Sequence, residues 1–185
     1  EFRYNLLENN SYGMYAHTST GVYVHDNTVI NNDVYGIYDA YSAAAGVYKG
    51  NNVSLNAECG IHVYDSDQVT ITGNVIASNG ASATLGGVNF RLANNGVVES
   101  NSLSSNNVYA VRLRQSSNGN YVGNNTFENE NEAVDVHNSI DAVMLGNSAE
   151  SCGRGFHVES SSHGAQIINN TVRNSTLYGF QLTSS

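Results

Sequence analysis

Glu132-Ala133-Val134-Asp135-Val136-His137 reads as one short strand. Val134 and Val136 alternate with Asp135 and His137, so two apolar side chains point one way and two titratable ones the other. Taken alone, the stretch is an ordinary half-buried strand. It becomes informative because similar stretches recur above and below it, at Tyr109-Ala-Val-Arg-Leu-Arg114 and Arg154-Gly-Phe-His-Val-Glu159. If these strands stack in register, Arg112, Arg114, Asp135, His137, His157 and Glu159 form one polar patch.

The recurrence runs along the whole chain. Asparagines followed two residues later by an apolar or small residue occur at 5, 27, 51, 74, 101, 125, 147 and 170, with spacings of 22, 24, 23, 27, 24, 22 and 23. Each is followed by a small residue and then an apolar one, from Gly13-Met14 through Ala133-Val134 to Gly179-Phe180. A third apolar pair closes most units, as in Val22/Val24, Val69/Ile71, Val143/Leu145 and Ile167/Ile168. Three short strands per two dozen residues, separated by Asn/Gly/Ser turns, make one coil of a parallel β-helix. No helical period lies between the strands, which argues against a βαβ sheet. The expected fold is therefore all-β, a single-stranded parallel β-helix of about eight coils with three short strands per coil, over one domain, 1–185. Its turn asparagines should stack into ladders, a role that also accounts for the Asn-x-Ser/Thr sites at 9, 52, 124, 169 and 174. The long spacing after Asn74 predicts a loop over Ser78–Gly86.

Composition agrees. Gly and β-branched residues recur, there is no Pro or Trp, and there are 12 Tyr among 185 residues. Sixteen acidic against seven basic residues give a net charge of −9, which argues against a general nucleic-acid binder while leaving room for a local basic strip. No transmembrane run or signal peptide is present. Scarce Lys with abundant Asn, Ser, Thr and Tyr suits an extracellular or secreted protein. Cys59 and Cys152 fall four repeats apart, about 19 Å at strand spacing. That is too far for a disulfide, so two free buried thiols are expected. The chain starts inside a strand and stops just after one, with no capping helix. This reads as a piece of a longer β-helix, or as a unit whose ends stack copy on copy into filaments.

The long strands present two outward columns. One runs Tyr15, Tyr38, His62, Asn89, Arg112, Asp135, His157, Gln181. The other runs His17, Ala40, Tyr64, Arg91, Arg114, His137, Glu159, Thr183. Four of the six histidines lie there. Arg91, Arg112 and Arg114 suit carboxylates or sulfates. Tyr38 and Tyr64, with Tyr15, offer flat faces to sugar rings, and His62, Asn89 and Glu159 add polar contacts. Asp135, His137 and His157 titrate where general acid–base catalysis operates. A flat strip of this kind matches a linear acidic polysaccharide. The closing strands, with Tyr23, Tyr48, Thr70 and Met144 outward, read as plain surface, and the column Tyr12, Tyr35, Tyr109, Tyr178 as packing. No cofactor is implied. A zinc site from His137, His157 and Glu159 has no better spacing than the repeat itself supplies.

Asp135-Val-His137 resembles the Asp-Pro-His part of the Tyr-Gly-Phe-Asp-Pro-His motif of mannuronan C5-epimerases, which are right-handed parallel β-helices. The family's Tyr falls on Glu132, its Gly on Ala133 and its Pro on Val136, while Tyr12-Gly-Met-Tyr-Ala-His17 keeps the Tyr, Gly and His. The resemblance implies that Arg112 or Arg114 neutralises a uronate carboxylate, that His137 or His157 removes the C5 proton, and that Asp135 orients the histidine or the sugar. Proton return gives an epimerase, and loss of the 4-linked oxygen gives a lyase. Against this stands a plain reading: exposed strand positions in any β-helix are polar, and opposite charges on neighbouring strands pair. Three classes result: an epimerase or lyase, a non-catalytic carbohydrate-binding or adhesive module, and a structural or filament-forming rod.

Overall fold

The computed structural model describes residues 1–42, 45–81 and 85–183. Among them the chain forms 24 strands and no helix. They wind into eight coils and three eight-stranded sheets, all parallel, in which each strand pairs with its counterpart one coil away. Two sheets consist of short strands, from Phe2–Arg3 to Gln166–Ile168 and from Leu6–Glu8 to Thr171–Arg173. The third is built from the longer strands Tyr12–His17, Tyr35–Ala40, Cys59–Tyr64, Gly86–Arg91, Tyr109–Arg114, Glu132–His137, Arg154–Glu159 and Tyr178–Leu182.

Stacking builds the core, because one coil is too thin to bury anything by itself. Columns such as Ile37, Ile61, Val88, Val111, Val134 and Phe156 run up the interior with essentially no exposure. In each long strand the small residue and the one after it both turn inward, as Ala133 and Val134 do. The small column is forced by close approach: a Cβ on Gly36 would lie 2.7 Å from Gly60 O and 2.7 Å from Asn56 Nδ2. With 133 and 134 both inside, residues 132 and 135 emerge on the same outer face.

The corners carry the asparagine ladders. Asn27 Oδ1 accepts from the backbone N–H and the Nδ2 of Asn5, and the pattern repeats through 51, 74, 101, 125, 147 and 170, with the backbone bonds at 2.8–3.0 Å. Each buried amide also finds a main-chain acceptor, for example Asn101 Nδ2 to Ile71 O. Such bonds satisfy backbone groups that the corner removes from the sheets. A second ladder, at Asn10, Asn32, Asn56, Asn79 and Asn106, continues through Glu130. A shorter serine series holds the third corner, with Ser117 and Ser139 hydroxyls accepting from the backbone one coil away. The residue before each first-ladder Asn (Tyr4, Asp26, Gly50, Gly73, Ser100, Asn124, Gly146, Asn169) has φ between 53° and 68°. Left-handed backbone favours Gly, Asn and Asp, which explains the Asn-Asn and Gly-Asn dipeptides. The Asn-x-Ser/Thr asparagines at 9, 52, 124 and 169 are the exposed neighbours of ladder positions, and Asn174 is exposed as well, so none belongs to the ladders themselves.

Two expectations need correction. Tyr48 and Met144 are not surface residues: they belong to the inward column Val24, Tyr48, Ile71, Val98, Val122, Met144 and are fully buried. Both flanking residues are apolar in Val143-Met144-Leu145, so alternation within the strand is ambiguous, and the stack chooses the register. The loop expected over Ser78–Gly86 begins only after Asn79, which is buried in the second ladder, and its residues 82–84 lie outside the described ones. Cys59 and Cys152 are free and buried, as expected.

Candidate active site

Register brings the sequence-predicted residues together. Arg112, Asp135 and His157 align on three successive rungs, as do Arg114, His137 and Glu159 beside them. Arg91 and Asn89 lie one rung before Arg114 and Arg112, and Tyr64 and His62 one rung further, with Tyr38 beyond His62.

The inner column is not an open surface. Asp135 is 1% exposed, Asn89 0%, His62 4% and His157 7%. Long side chains in neighbouring rungs close over these shorter ones. Arg112 Nε donates to Asp135 Oδ2 at 2.9 Å, while the guanidinium lies over the Tyr109 ring at 4.3 Å. Burial raises the Asp135 carboxyl to about 6, with Arg112 pulling the other way and Glu132 and Glu159 adding to the rise. His62 packs on the Tyr35 ring at 4.8 Å, and its Nδ1 accepts from Asn89 Nδ2 at 3.3 Å. Burial, then Arg114 and Arg91, push its basicity down to about 3, so this histidine is neutral.

The outer column is half-exposed and holds the His137–Glu159 pair. His137 Nδ1 contacts Glu159 Oε1 at 2.9 Å, and His137 keeps 30% of its side chain in solvent. Arg114 stands on the adjacent rung, half-buried, its Nε without an acceptor and its guanidinium weakened by burial and by Arg112 and Arg91. No carboxylate lies within ion-pair distance of Arg114 or Arg91 among the described residues; Arg91 instead bonds Gln115 and lies over the Tyr64 ring at 5.1 Å.

The strip departs from expectation in two further ways. Tyr15 and Tyr38 stack on each other at 5.0 Å with planes 8° apart, and Tyr12 stacks on both, so part of each ring's face is spent on a neighbouring ring. Glu132 was missing from the predicted site. It is buried, forms a close ion pair with Arg154, and sits 3.2 Å from His157 Nδ1. It shares a column with Tyr109 and Arg154, and the replacement of Tyr by Glu there was the available signal.

A family model described as the right handed beta helix region matches residues 1–76 and 45–185. The chain belongs to this right handed beta helix family. Among solved structures, this β-helix is similar to the periplasmic alginate epimerase AlgG, at 19% identity and a TM-score of 0.72, over 96% of this chain and 49% of that one. It is also similar to the Agl-KA catalytic domain, at 14% identity and a TM-score of 0.52, over 96% of this chain and 46% of that one. The β-helix thus spans about half the length of AlgG. No curated protein sequence matches it.

Proposed function

We propose that this β-helix acts on a linear acidic polysaccharide, as a secreted or periplasmic uronate C5-epimerase or lyase, with His137 as the base. The observation that carries this reading is the unpaired Arg114 on the rung next to the His137–Glu159 pair. In a chain of net charge −9, a guanidinium with no carboxylate within ion-pair distance among the described residues is suited to an incoming oxyanion. Arg112, already engaged by Asp135, is less available. Arg114, with Arg91 beyond it, receives the uronate carboxylate and acidifies the C5 proton. His137 removes that proton through Nε2, and Glu159 at Nδ1 orients the ring. His157 is a poorer base, because it is buried and both its nitrogens face protein atoms. Asp135 sits under the site and fixes Arg112. Proton return to the opposite face of C5 gives the epimer. Departure of the 4-linked oxygen from the same carbanion gives a C4–C5 double bond. AlgG, named for alginate epimerisation, shares the fold and supports the substrate class.

Incubation with polymannuronate in deuterated water tests this. Deuterium at C5, or ultraviolet-absorbing unsaturated ends, is expected from the native chain and is lost in His137→Ala. Absence of both signals with polymannuronate and with other polyuronates overturns the catalytic reading.

A further inference from the structure

We propose that Glu132, Asp135 and His157 form a binding site for a divalent transition metal of the zinc class. One ligand atom from each lies within 4.8 Å of the others, and all three residues are more than nine-tenths buried. The converging atoms are Glu132 Oε2, Asp135 Oδ1 and His157 Nδ1. Nδ1 stands 3.2 Å from Oε2 and 3.5 Å from Oδ1. The first is a hydrogen-bond contact at the long end of the ordinary range, longer than the roughly 2.7–2.9 Å of a charge-assisted imidazolium–carboxylate bond. Ligands on a tetrahedron with zinc bonds of 2.0–2.1 Å are instead about 3.3 Å apart.

The surroundings point the same way. Asp135 Oδ1 is buried without a hydrogen-bond partner and is aimed into the cluster. The remaining oxygens are held from behind: Asp135 Oδ2 by Arg112, Glu132 Oε1 by Arg154. His157 Nε2 lies 3.1 Å from Thr183 Oγ1. Donation of the Nε2 hydrogen to that hydroxyl leaves Nδ1 as a bare lone pair, the arrangement that orients metal-bound histidines. Glu159 Oε2, 3.8 Å from Nε2, adds a third carboxylate. Three carboxylates against two guanidiniums leave the cluster negative and open to a cation. Three protein ligands are also the number that leaves one position free for a water or a substrate oxygen. His157 then serves the metal, and His137 alone remains as base, a division that rests on the function proposed above.

Calorimetric titration of the chelator-treated, dialysed full chain with zinc, manganese and calcium chlorides tests the site. One zinc per chain is expected, with calcium far weaker. Glu132→Gln and His157→Gln each weaken binding by more than the roughly 10–100-fold that loss of an outer partner costs, whereas His17→Ala and His163→Ala leave it unchanged. Cobalt(II) added to the native chain is expected to show the intense visible bands of a tetrahedral site, a readout independent of whether the variants fold. No stoichiometric zinc and no such spectrum, or binding that persists in both ligand variants, overturns the proposal. A chain that takes up no zinc yet still turns over polyuronate defeats the metal site alone. Zinc binding without turnover defeats the catalytic reading alone.

Discussion

Glu130 occupies an asparagine's place in the second ladder, where its Oε1 accepts from Asn106 Nδ2 at 2.8 Å while its Oε2 is buried without a partner. Burial raises this carboxyl to about 8, against the weaker opposing pull of Asn106. A carboxyl whose folded pKa lies above its unfolded value holds its proton longer in the folded chain. Its contribution is complete below pH 4.5 and drains as pH rises towards 8, by up to about 1.4 kcal/mol per pH unit. Asp135 adds a smaller decline of the same sign between 3.8 and about 6. Stability from urea denaturation should therefore fall from pH 5 to pH 8. Glu130→Asn, which restores the amide, should flatten most of that slope and add about 1–3 kcal/mol near pH 8. An unchanged slope would mean the acid is not held protonated.

The ladders also show what could be read from sequence alone. One asparagine per coil made the period visible, because the corner needs an amide that both donates and accepts at every rung. The second ladder was hidden in the same dipeptides: Asn31-Asn32 and Ser105-Asn106 hold a left-handed residue followed by a ladder residue, yet each looks like generic turn composition. The alignment of Arg112, Asp135 and His157 followed directly from the period. Their burial did not, because it depends on how far the side chains of neighbouring rungs reach. Glu132 was overlooked because its column, with Tyr109 and Tyr178, read as packing.

Leu55 has φ 59° and is 56% exposed, at a corner where Asn31 and Ser78 stand on the adjacent rungs. Left-handed backbone costs a branched L-residue about 1–2 kcal/mol, and Asn less. Since the side chain buries little, nothing offsets that cost. Leu55→Asn should stabilise the chain by about 1 kcal/mol and raise the melting temperature by about 2–4 °C. A lower melting temperature would show that Leu55 makes contacts worth more than the strain.

Asp39 points into the core on the column that holds Ala16 and Val63, with no exposure. Tyr48 Oη donates to its Oδ2 at 2.6 Å and Ser66 Oγ to its Oδ1 at 3.2 Å. Burial and this carboxylate push the Tyr48 phenol far above its ordinary range. Asp39→Val strands the Tyr48 hydroxyl and should cost about 1–3 kcal/mol. Adding Tyr48→Phe removes the stranded group, so the double variant should recover most of the loss. A double-mutant cycle in chemical denaturation measures the coupling, and additive losses would contradict it.

Arg112 and Asp135 form a buried arginine–carboxylate pair in the candidate site, with side chains 15% and 1% exposed. Burial disfavours the Asp135 charge, Glu132 and Glu159 add to that, and Arg112 opposes them. Arg112→Met removes the opposing pull and keeps the rest. The carboxyl should titrate above its present value of about 6, measurable by carbon-13 NMR of the side-chain carboxyl. Stability at neutral pH should drop by about 3–5 kcal/mol, the usual cost of leaving a buried charge unpaired. Asp135→Asn strands no carboxylate and should cost less. A loss below about 1 kcal/mol for Arg112→Met would place the pair among solvent-screened surface contacts, and the closed inner column would then be open to water.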